Sequence, residues 1–131
     1  MVHSVFLYPT GDRFNVDTIK RHLEAKPDVI HDPLGTPTYL VCGLPEAVAV
    51  YRDERIEHPE AFPYVVLVTV EPNVINVFQE YGDEDDLRSA REFVRWVIDQ
   101  QPCRIEDEYR SDWTEQVRRE GVGVLYPSQL K

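Results

Sequence analysis

Five carboxylates crowd the seven residues Glu80–Asp86, EYGDEDD. Acids at this density can hold a hard cation, meet a basic partner or open a helix. A calcium loop needs oxygen ligands at alternating positions, a glycine at the turn and a distant glutamate. Here Gly82 precedes the acids and the alternation is missing, so no metal is expected. A helix start explains the acids better. Carboxylates in a first turn lie against the positive end of the helix dipole, and Asp83 and Asp86 suit a cap. Their number exceeds what capping needs, so Asp83, Glu84, Asp85 and Asp86, with Tyr81 beside them, are candidates for contact with a basic protein.

The other reactive side chains are scattered. His3, His22, His31 and His58 show no HxH or HExxH spacing. His31 beside Asp32, and His58 between Glu57 and Glu60, are the two places where a histidine–carboxylate base could form. Cys42 and Cys103 stand alone in apolar settings, without a CxxC or Cys/His cluster, and read as buried thiols. The glycines are spread singly, so no phosphate cradle is drawn, and no GxSxG elbow is present. No catalytic residue and no cofactor are therefore assigned. Tyr109 and Trp113 fall among charged residues near the C-terminus. Aromatic side chains in such company are enriched at interface anchors, and both join the candidate contact set.

Composition sets the wider limits. The 131 residues fit one domain, 1–131, and carry a net charge of −10. The excess is shared, with 10 acids against 6 bases in 1–65 and 14 against 8 in 66–131, so it belongs to the whole surface and not to a tail. Such a surface repels nucleic acid and anionic lipid, and favours fast encounter with a basic partner. No apolar run is long enough to span a bilayer, and the first residues lack a basic leader, so a cytoplasmic protein is expected.

Stepping along the chain gives the elements that would position these groups. Val2–Tyr8 reads as a strand closed by Pro9. Val16, Ile19 and Leu23 share a helical face, capped by Asn15 or Asp17 and ended by Pro27. Asp28–His31 and Thr38–Cys42 read as strands around a turn-rich stretch, and 44–56 as a short helix. Tyr64–Val70 is apolar on both faces, which places it inside a sheet. Glu71-Pro72-Asn73 turns it into Val74–Phe78. Asp86–Gln100 is a second long amphipathic helix. A strand follows from Cys103 to Tyr109. Ser111 or Asp112 caps a last short helix with Glu115 in capping-box spacing, and Val122–Tyr126 reads as an edge strand.

This order predicts an α+β fold: a mostly antiparallel sheet with two long helices on one face. It has ferredoxin-like order (βαββ–ββαβ) and a C-terminal helical and strand appendage. The functional expectation is a small acidic, non-enzymatic protein-binding domain. Its most concrete form is an immunity-type protein that neutralises a basic bacterial toxin. The alternatives are a ligand-binding or regulatory domain, dimeric through a sheet edge, with a cleft using His31, Arg52 or Arg55, and a small enzyme built on His31 or His58.

Overall fold

The computed structural model describes residues 4–26, 29–31, 38–42, 65–79 and 84–125. The expected helix over 44–56 lies outside them, as do His3, His58, Arg52, Arg55, Tyr81 and Asp83. Among these residues six strands form one antiparallel sheet: β1 (Ser4–Pro9), β2 (Val29–His31), β3 (Thr38–Cys42), β4 (Val65–Val70), β5 (Ile75–Gln79) and β6 (Cys103–Asp107). Their order across the sheet is β2-β3-β4-β5-β1-β6. Among the described residues three helices accompany them: α1 (Val16–Glu24), α2 (Glu84–Gln100) and α3 (Thr114–Glu120).

Alternation along the strands separates the two faces. Val5 and Leu7, Val66, Val68 and Val70, Ile75 and Val77, and Cys103 and Ile105 are buried. They join Ile19 and Leu23 of α1, Ala90, Phe93, Val94 and Val97 of α2, and Val117 of α3 in one core cluster. All three helices therefore bury their apolar stripes against the same face. Each large side chain taken from water there contributes about 1.5–3 kcal/mol before entropy is charged against it. On the opposite face Phe6, Tyr8, Leu67, Thr69, Asn76, Phe78 and Glu106 are half-buried and Arg104 is exposed.

Local chemistry explains the boundaries. Asn15 caps α1 by accepting a hydrogen bond from the Thr18 amide at 3.1 Å, which satisfies one of the donors a helix start leaves open. The β4–β5 turn is closed by the Glu71 amide donating to the Val74 carbonyl at 3.0 Å, and Val70 pairs with Ile75. As expected, β4 runs inside the sheet, between β3 and β5. Its second face is less covered than its composition suggested, since Leu67 and Thr69 stay half-buried.

Three expectations near the C-terminus are corrected. The strand of 103–109 ends at Asp107, and Tyr109 sits in the turn that follows. Helix α3 starts at Thr114 with Trp113 at the cap position and no side-chain cap. Asp112 instead accepts from the Thr114 amide at 2.8 Å, so the expected capping box does not form. The third is the edge strand of 122–126. Val122–Val124 is a single 3₁₀ turn, because Gly121, with φ of 86°, swings the chain away from α3. Val122 and Val124 then pack against the core, and the turn ends on buried Leu125.

Candidate functional site

The turn after β6 is held by a dense set of hydrogen bonds. The alternation that buries Cys103 and Ile105 carries Asp107 to the same depth, leaving it 5 % exposed. An acid in that position requires donors, and its own loop supplies three. Asp107 Oδ1 accepts from the Tyr109 amide at 2.8 Å and the Ser111 amide at 3.0 Å. Asp107 Oδ2 accepts from Trp113 Nε1 at 2.9 Å. The backbone repeats the closure: the Arg110 amide donates to the Asp107 carbonyl at 3.0 Å, and the Asp107 amide to the Ser111 carbonyl at 3.1 Å. Arg110 takes the left-handed conformation, φ 64°, which a non-glycine residue adopts only where its surroundings impose it.

Burial alone would raise the Asp107 pKa, but the bonds from Trp113, Ser111 and Tyr109 prevail and hold it below 3.8. The loop that shields the carboxylate is thus the loop that keeps it ionised. The result is a fixed turn with Tyr109 at its tip, 70 % exposed. Among the described residues no other large hydrophobic side chain stands as open. Trp113, the second aromatic singled out, is half-buried against the core. It acts mainly as the far anchor of the loop.

The same segment closes one edge of the sheet. The Trp113 amide donates to the Ile105 carbonyl at 2.8 Å, and the Ile105 amide donates to Thr114 Oγ1 at 2.9 Å. Glu106 and Asp112 form an isolated antiparallel bridge. The outer side of β6 is therefore occupied by the chain's own continuation, a standard protection against edge pairing. The opposite edge, β2, is three residues long.

A second cluster lies between α1 and α2. The His22 ring stacks on Trp96, with centroids 3.7 Å apart and planes 8° from parallel. Its Nε2 is buried without a hydrogen-bond partner. Burial first, and the like charge of Lys26 second, hold the His22 pKa below 6.5. The folded state thus resists protonation of this ring, and stability present above that value falls as the pH drops through it toward the lowered folded value. Replacing His22 with Phe keeps a stacked ring and removes the proton site. Urea midpoints measured at about pH 7.5 and about pH 5 should then differ less in His22→Phe than in the wild type.

Beside this stack a groove of about 210 Å³ opens. Its apolar lining is Phe14, Ile19, Trp96 and Val97, and Asn15, Thr18, Gln100 and Gln101 supply polar groups. Two of the amides are already engaged, Asn15 in the α1 cap and Gln101 with the Asp12 carbonyl at 2.9 Å. The volume is below the roughly 300 Å³ at which cofactor-sized pockets begin, and none of the residues named for a ligand cleft lines it. Cys103 is a free, buried thiol whose pKa is pushed up to about 11 by burial, so it is not a nucleophile at neutral pH. Among the described residues no group of three His, Cys, Asp or Glu side chains is placed to hold a metal ion. No helix of the described residues is long and apolar enough to cross a membrane.

The expected contact set divides accordingly. Glu84, Asp85 and Asp86 lie in the first turn of α2, where the dipole argument put them. Tyr109 and Trp113 belong to the loop after β6. His31 falls in β2. Asp107 and Trp96 were not among the residues singled out from the sequence, and His22 was named only as one of four scattered histidines, although Asp107 carried a readable sign: an acid in the buried phase of an alternating strand.

Comparison with protein-family models, with characterised protein sequences and with solved structures finds no match to this chain.

Proposed function

We propose that this chain is a non-enzymatic protein-binding domain that uses a preorganised tyrosine loop and an acidic surface to capture a basic protein. The observation that carries the reading is the Asp107 loop. A buried carboxylate with three internal hydrogen bonds fixes a tip whose exposed residue is Tyr109. A loop ordered in advance loses little entropy on binding, and tyrosine is among the residues that most often dominate interface energy. The charge of −10 supplies the long-range attraction that speeds encounter. The acids that open α2 are part of that field. In its most concrete form the partner is a basic toxin and the chain its immunity-type inhibitor, acting in the cytoplasm.

The finer architecture is part of the same proposal. Strands β5 and β6 flank β1 and are joined through α2, the split β-α-β arrangement of ferredoxin-like domains. The β2–β3 pair would then be an extension of that core.

Affinity capture from the native host with wild type, Tyr109→Ala and a variant with Lys at 83–86 tests the reading. One basic protein should be retained by the wild type and depleted with both variants. Equal capture by all three would remove the tyrosine loop and the acids from the binding surface. Because Tyr109 makes its loop contacts through its backbone amide, Tyr109→Ala should change the unfolding free energy by no more than about 0.5 kcal/mol. Its cost in partner affinity should be about 2 kcal/mol or more, read by calorimetry on the captured protein.

A further inference from the structure

We propose that the His22–Trp96 stack is a proton-operated latch. A proton on His22 turns its ring out to water and uncovers one face of Trp96, while the rest of the fold stays intact. The imidazole lies flat on the indole, with centroids 3.7 Å apart and planes 8° from parallel, so it ties α1 to α2 and covers one indole face. Its Nε2 is closed off from water and has no hydrogen-bond partner. A neutral imidazole carries one N–H and one bare nitrogen, and the bare nitrogen at Nε2 leaves only an acceptor unpaired. The imidazolium carries an N–H at both nitrogens, so protonation places a charged donor in that enclosed position. An indole face does attract a cation, but that gain is smaller than the cost of a charged N–H kept from water with nothing to accept it.

The charges around the ring do not offset this cost among the described residues. At the end of α1, one turn on from His22, Lys26 repels a proton placed there. On α2, Glu92 and Asp99 stand one turn to either side of Trp96, and both are exposed. Asp99 pairs with Arg95, and burial and Lys26 alone bear on the His22 proton. Of the strands that touch α1, β4 has no titratable side chain and β2 brings only His31, which is never an anion. The way out for the ring is short. His22 is only half-buried, so a rotation about its side-chain torsions reaches water while Ile19 and Leu23 keep α1 in the core. Trp96 stays against Phe93, 6.4 Å away between centroids, and its freed face adds apolar surface beside the groove that it lines with Ile19 and Val97. The latch uses neither Tyr109 nor the acids of 83–86, so it stands or falls separately from the partner-binding proposal.

The test is an NMR titration of the full chain from about pH 8 to about pH 5. It follows the His22 ring and both indoles, with a soluble gadolinium chelate in the buffer to broaden rings that meet solvent. The His22 midpoint should lie below 6.5. Broadening of the Trp96 ring should roughly double with that same midpoint, because a covered face of the indole becomes open. Trp113 should not respond, since the Asp107 carboxylate that holds it stays ionised throughout this range. Lys26→Gln removes the like charge and should raise the midpoint. His22→Phe keeps a ring on Trp96 and should abolish the response, with far-UV circular dichroism unchanged between the two pH values in both proteins. A His22 that protonates while Trp96 stays shielded overturns the latch, because the imidazolium then remains stacked. So does a midpoint at or above 6.5, a Trp96 response that persists in folded His22→Phe, or exposure that appears only as the whole chain unfolds.

Discussion

Replacing Asp107 with Ala should lower the unfolding free energy by about 2–4 kcal/mol, because it leaves donors of three groups without their acceptor. Those donors are the Tyr109 and Ser111 amides and the Trp113 indole N–H. The two amides lie in a surface turn where water can partly replace the carboxylate. The indole is half-buried and finds a substitute less easily. Asp107→Asn should cost less, about 1–2 kcal/mol. Its carbonyl oxygen can keep both amide bonds, while its NH₂ group faces another donor at Trp113. The pH dependence supplies a second reading of the same site. The folded pKa of Asp107 lies below 3.8, so the ionised form favours the folded state. That contribution is fully present above 3.8 and is lost as the pH falls through the lowered folded value. Urea unfolding of the wild type between about pH 5 and about pH 2.5 should show this added acid sensitivity, and Asp107→Asn should lack it. A wild-type and variant pair with parallel pH profiles would mean that the carboxylate is not held as the structure places it. The Ala variant should also free the Arg110 backbone from its left-handed conformation and disorder the tip, so its partner affinity should fall further than stability alone explains.

How much of this was legible before the structure depends on the range of the forces concerned. Helix α1 could be read closely, since Asn15 lies immediately before an i, i+3, i+7 apolar stripe and its cap bond is local. Helix α2 and the β4–β5 hairpin were equally plain, because amphipathic period and turn chemistry act within a few residues. The loop after β6 was misread for the opposite reason. A strand continued to Tyr109 treats the alternation of Cys103 and Ile105 as unbroken and passes over Asp107, which has the same phase. Once that acid is buried it draws the next amides onto itself, and the strand must end. The C-terminal edge strand failed similarly. Val122, Val124 and Leu125 have strand composition, but Gly121 turns them inward, and their burial against the core takes precedence over sheet pairing. The His22–Trp96 stack joins residues more than seventy positions apart, and no local pattern announces it. The contact residues were legible only as types. That Tyr109 is exposed while Trp113 anchors its loop follows from hydrogen bonds that the sequence does not display.

Reversing Asp83, Glu84, Asp85 and Asp86 to Lys should slow association with the basic partner by a factor of about 10–10³ at low salt. Four reversals change the net charge from −10 to −2, so most of the attraction felt at a distance is removed. The effect belongs in the association rate more than in the dissociation rate, because rim charges steer encounter while anchors set residence time. It should shrink as ionic strength rises, since the Debye length falls from about 30 Å at 0.01 M to about 8 Å at 0.15 M. One complication is internal to the fold. Glu84, Asp85 and Asp86 lie in the first turn of α2, where each carboxylate is worth about 0.3–1 kcal/mol against the helix dipole. Lysines there will also weaken the helix that brings Phe93, Val94 and Val97 to the core. A neutral set, Asp83→Asn, Glu84→Gln, Asp85→Asn and Asp86→Asn, separates the two roles. It avoids repulsion between the dipole and new cations, so its stability should approach that of the wild type. Its association rate should fall by about half as much, on a logarithmic scale, as in the Lys variant. Stopped-flow association at several salt concentrations gives the answer. If the neutral set binds at the wild-type rate, the acids serve only the start of α2, and Tyr109 must act without them.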